Sequence, residues 1–147
     1  MSQTGITIAG WFVTLLGSYW IGFRNGRSAQ MAAEALTNKN RITQAKDDFL
    51  AVSAQQRAKL DSLPKPPHYD VFFNESLPVL REAVLKLQHI LPEEQWECLR
   101  NTLRKYEAYG NEKLSDWETM AEELIQTGQN AGVRLHAFFD QFSRCLK

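Results

Sequence analysis

A chain of 147 residues has room for one small domain and little beyond it. Its charges balance, 17 Lys and Arg against 17 Asp and Glu, which excludes the basic excess of a dedicated nucleic-acid binder. Two cysteines, Cys98 and Cys145, are too few for a disulfide scaffold and form no CxxC pair.

The first element is the uncharged stretch from Ile6 to Phe23, behind a short tail over residues 1–5. Its 18 residues would extend about 27 Å as a helix, just enough for a bilayer core. Tyr19, Trp20 and Phe23 stand where an aromatic belt would meet lipid headgroups. The segment therefore reads as a transmembrane helix. A signal peptide fits poorly, because residues 1–5 hold no Lys or Arg. An interfacial helix would carry Lys or Arg on its polar face, which here offers only Thr7, Thr14 and Ser18.

Arg24, Arg27, Lys39 and Arg41 follow closely. By the positive-inside rule they place the N-terminus outside and the C-terminal part in the cytoplasm. They also offer contacts to lipid headgroups, although a plain topology signal explains them better. Gly10, Thr14, Ser18 and Gly22 recur at i+4, a ladder through which a second span could approach for homo-oligomerisation. In the cytoplasm both cysteines would be reduced, and an exported C-terminal part would instead make them a candidate bridge.

Residues 24–61 read as a helical stalk. Ala35, Ile42 and Phe49 repeat at sevens, with Ala45 and Val52 three residues after the last two, a seam too short for a coiled-coil assignment. The segment from Arg24 to Asp61 holds seven basic and four acidic residues, against ten and thirteen from Ser62 to Lys147. Pro64, Pro66 and Pro67 then mark a stiff linker over 62–73. Its PxxP is too short a motif to argue an SH3-type ligand.

Three amphipathic helices are predicted over 74–147. The first begins near Asn74 or Ser76 with Pro78 in its first turn, and aligns Leu77, Leu80, Val84, Leu87 and Leu91. Pro92 opens the second, whose inner face is Trp96, Leu99, Leu103 and Tyr106 and whose stop is Gly110-Asn111. The third starts at Ser115 with Glu118 as a capping box. Its apolar stripe runs unbroken through Trp117, Ala121, Leu124, Gly128, Ala131, Leu135, Phe138, Phe142 and Cys145. Ile125, Gly132, Phe139 and Leu146 widen that stripe, so a packed bundle is expected. Gly128 and Gly132 mark either a kink or a close backbone approach. The fold class is all-α.

Catalytic and metal constellations are not evident. His68, His89 and His136 lie far apart, and no HExxH, ExxH pair, P-loop, GxGxxG or GxSxG occurs. Cys98 and Cys145 read as buried thiols rather than nucleophiles. Glu93, Glu94, Glu97, Glu122 and Glu123 read as solvated helix faces. No enzyme, cofactor or metal is expected. Leu135, Phe138, Phe139 and Phe142 could form a partner patch, though core packing is the stronger reading.

The expected function is that of a non-catalytic, membrane-tethered adaptor or regulatory subunit, with the lipid bilayer and a protein as partners and no nucleic acid. The alternative is a membrane-active or lysis-type protein acting through oligomerisation of the span.

Overall fold

The computed structural model describes residues 3–114, 116–128 and 130–147, with the backbone alone for 3–21, 23–25, 117 and 127. Among these residues the chain is all-α, with five helices and no strand. They are α1 (Gln3–Asp61), α2 (Tyr69–Lys86), α3 (Glu93–Lys113), α4 (Trp117–Thr127) and α5 (Ala131–Cys145). The chain divides into two units, Met1–Arg41 and Ile42–Lys147.

In the first unit the side chains from Gly26 to Arg41 are all exposed, Met31 and Leu36 at 57% and 60%. Helix is favoured here by local chemistry. Ala29, Ala32, Ala33 and Ala35 are the best helix formers, and the Gln30 amide donates to Glu34 one turn on at 3.2 Å.

Among the described residues, no helix is long and apolar enough to cross a membrane. This overturns the expected single-pass placement with an external N-terminus and a cytoplasmic C-terminal domain. From Gly26 to Asp61, α1 carries ten charged side chains, each costly in hydrocarbon. The remaining helices also carry charge along their length. The side chains of residues 6–21 and 23, on which the expected span rested, lie outside the described residues.

The second unit is built around one core. Its portion of α1 contributes Phe49, Ser53, Gln56 and Leu60, all buried at helical spacing. Half of the expected stalk therefore belongs to the bundle, and the boundary falls at residue 42 rather than at the prolines. The linker follows, with a cis Lys65–Pro66 peptide. Helix α2 starts at Tyr69, earlier than predicted, and holds Pro78 within its length. Phe72 and Phe73, at 4% and 3% exposure, gain enough from burial to hold those first turns helical ahead of the proline.

Helix α3 begins where Pro92 predicts, with Glu93 and Glu94 at its positive end. It buries Trp96, Leu99, Leu103 and Tyr106, the face read from the sequence, together with Thr102, Tyr109 and Gly110. It does not stop at Gly110. A Cβ on that residue would overlap the Phe73 ring, so the glycine marks helix packing rather than a helix end.

The last helix, for which the sequence offers either a kink or a close approach at Gly128 and Gly132, is two helices. Gly128 ends α4 in the left-handed conformation at φ 67°, and Asn130 caps α5 by accepting from the Val133 N–H at 2.9 Å. The break rephases the stripe: Leu124 and Ile125 are exposed at 48% and 83%, while Leu135, Phe139 and Phe142 are buried. Gly132 is a close approach, where a Cβ would come within 2.8 Å of the Tyr69 hydroxyl. Ser115, the expected cap of this region, lies outside the described residues.

Tyr106 is the hub of the core, fully buried with Phe73, Phe138, Phe139 and Phe142 around it at ring separations of 5.2 to 6.4 Å. Its hydroxyl lies 2.5 Å from Ser76 Oγ. The Ser76 hydroxyl also lies 3.2 Å from the Phe73 carbonyl. Burial pushes the Tyr106 phenol up to about 12.

Candidate interaction groove

Helices α1 and α2 do not close completely over the core of the second unit. Between them lies a groove of about 320 Å³. Phe49 and Leu87 belong to the buried core, and Ala45, Val52, Ala83 and Ile90 are half-buried along the groove. Val79 is 38% exposed, and Asp48, Glu82 and Lys86 supply the polar lining. Val79, Ala83 and Lys86 follow one another at spacings of four and three on α2, one column from the buried stripe of Leu80, Val84 and Leu87. Ala45, Phe49 and Val52 repeat in the same manner on α1. Two helices with small or β-branched residues at their facing edges leave a furrow rather than a closed contact.

The polar lining is organised by contacts one turn apart. The Gln44 amide donates to Asp48 at 2.8 Å, and Lys86 pairs with Glu82 at 2.7 Å. Lys86 holds the Glu82 carboxyl below its usual range, first by the hydrogen bond and then by charge. Both partners of that pair are 71% exposed, so the pair shapes the rim and adds little stability. The arrangement is an apolar floor with mixed charge at its edge, suited to the apolar face of a helix.

A second polar feature joins α3, α4 and α5. Glu123 is 7% exposed and accepts from the Tyr109 hydroxyl at 2.9 Å and from Arg134 Nε at 3.2 Å. This corrects the reading of Glu123 as part of a solvated face. Burial and the adjoining carboxylate together push the Tyr109 phenol far above its ordinary range. The cluster acts as a polar clamp on the light α4 helix: a buried carboxylate held by a phenol and a guanidinium is costly to break from either side.

The sequence candidates are scattered. The side chains of Gly10, Thr14, Ser18 and Arg24 lie outside the described residues; Gly22, Arg27, Lys39 and Arg41 are exposed in the first unit. Leu135, Phe139 and Phe142 are core residues at 0%, 1% and 0% exposure, and Phe138 packs on Tyr106 and Tyr109. They form the interior, not a surface patch. Glu93, Glu94, Glu97 and Glu122 are exposed, as are His68 and His89. His136 Nε2 lies 3.0 Å from Asp61. Among the described residues, no group of three or more His, Cys, Asp and Glu could hold a metal ion. Cys98 and Cys145, expected as reduced thiols, are bonded to each other.

The groove residues of α2 were missed because Val79 and Ala83 fall outside the main stripe, where a valine and an alanine are unremarkable. No family model, no curated protein and no solved structure matches the chain.

Proposed function

We propose that this chain is a non-catalytic adaptor or regulatory subunit whose bundle receives a helical segment of a protein partner in the groove between α1 and α2. The observation that carries this reading is the apolar floor left open beside the core, from Phe49 and Val52 across to Val79 and Ala83. A groove of about 320 Å³ takes two or three apolar side chains of an amphipathic helix, the usual anchors of helix-in-groove recognition. Asp48, Glu82 and Lys86 set the orientation of that helix through charges of both signs.

The test compares two charge insertions on the full chain. Val79→Glu places a carboxylate in the groove, and Ile125→Glu places one on an exposed residue of α4. After cross-linking in the native cells, Val79→Glu should lose a partner that the unaltered chain and Ile125→Glu both retain, with helicity unchanged in all three. Identical partners for all three proteins would rule the groove out as the binding surface.

A further inference from the structure

The two cysteines of the chain are both consumed by one bond. Cys98 lies in the second turn of α3 and Cys145 is the last residue of α5, with their Cα atoms 5.5 Å apart, an ordinary separation for a disulfide. Forty-seven positions separate them in sequence, and the enclosed loop contains α4. That helix leaves Leu124 and Ile125 exposed. A cross-link that shuts this loop restricts the unfolded chain over the segment that carries most of α3, all of α4 and α5.

The surroundings of the bond give an access route. An open cavity of about 550 Å³ lies alongside, lined by Ala137, Asp140, Gln141 and Arg144 together with the two cysteines. Cys98 is half-buried, whereas Cys145 is 6% exposed with its sulfur 3.6 Å from the Thr102 hydroxyl. Asp140 is engaged by Arg57 at 2.6 Å. Arg144 lines the same cavity from the exposed side of α5.

We propose that Cys98 and Cys145 are the dithiol substrate of a disulfide-donor protein, and that the bundle matures in an oxidising compartment. Cys98 is the point of entry. Its thiol gives a proton to water, and the thiolate attacks one sulfur of the donor's disulfide, which breaks and releases a donor thiolate. The Cys145 thiolate, having lost its own proton, then attacks Cys98 Sγ of the mixed disulfide. The intramolecular bond forms and the donor's second thiolate leaves. Two thiols lose two electrons and two protons, and the donor disulfide ends as a dithiol. Persistence of the product requires a compartment that does not reduce it again, unlike ordinary cytosol.

The test takes the full chain from cells that express it natively, quenched in acid and treated with a maleimide of known mass. The unaltered protein should take up no label before reduction and two labels after it. Cys145→Ser should accumulate a reductant-sensitive adduct through Cys98, and Cys98→Ser roughly tenfold less of it, since a buried sulfur is the poorer entry point. Two labels on the unaltered protein before reduction would overturn the proposal, and need no variant to fold. Equal adducts from both variants would overturn the assignment of Cys98 as the point of entry.

Discussion

Helices α4 and α5 come from one continuous apolar stripe in the sequence, yet they are held in different ways. Helix α5 buries Ala131, Gly132, Leu135, Phe139, Phe142 and Cys145. Helix α4 leaves Leu124 and Ile125 in solvent and buries a carboxylate instead, Glu123 against Tyr109 and Arg134. The contrast shows that an unbroken hydrophobic period describes what a helix could bury. What it does bury depends on its phase, which the break at Gly128 resets between α4 and α5. Among the described side chains, α5 is held by apolar area, whereas α4 combines Met120 against the core with the buried polar contacts of Glu123, and the two should fail under different perturbations.

The largest difference should come from truncating the buried side of α5. Phe139→Ala should destabilise the fold by about 3–5 kcal/mol, as deletion of a core aromatic usually does, measured by chemical denaturation. Reducing the Cys98–Cys145 bond should cost about 4 kcal/mol on the chain-entropy estimate for its 47-residue separation. The check is a reduced-against-oxidised unfolding curve, with Cys98→Ser as a reductant-independent control.

The next effect is a pH dependence of the α5 contacts. The Tyr106 phenol is raised to about 12 by burial, so above about pH 10 the unfolded chain releases this proton while the fold retains it. The stabilisation is complete below pH 10 and is lost as pH rises toward the folded value, at about 1.4 kcal/mol per pH unit. Tyr109 adds a slope of the same sign. Tyr106→Phe should flatten the curve between pH 10 and 12, and an unchanged slope would show that Tyr106 is not its source.

The smallest effects belong to the junction and to α4. Gly128→Ala forces a side chain into the left-handed region and should cost about 1 kcal/mol. Leu124→Ala should cost less than about 1 kcal/mol because that leucine is half in solvent. Equal losses from Leu124→Ala and Phe139→Ala would erase the distinction between the two helices.

Much of the bundle was legible in the sequence, and the reasons for the remainder are specific. Trp96, Leu99, Leu103 and Tyr106 declare one face of α3 because their spacing and hydropathy agree. The α1 contribution was hidden: two of its four buried positions are Ser53 and Gln56, which no hydropathy pattern selects. Pro78 favours a first-turn position, but the burial of Phe72 and Phe73 outweighs that preference. The reduced state expected of the cysteines follows from the cytosolic placement that the N-terminal segment implies, and it falls with that placement. The groove was not legible, since it arises from two helix edges whose proximity no local pattern encodes.

The contact at Gly110 ties two distant positions into a single choice. The Phe73 ring occupies the space that any side chain at 110 would need. Residue 110 can therefore grow only if residue 73 shrinks, and the two behave as one exchangeable unit shared by α2 and α3. Gly110→Ala alone should be poorly tolerated, and Phe73→Leu alone should leave a void. Made together, the two changes should cost less than the sum of their separate costs, since the second fills space that the first requires. Among divergent chains of this architecture, such a pair would appear as linked substitution, readable without a structure.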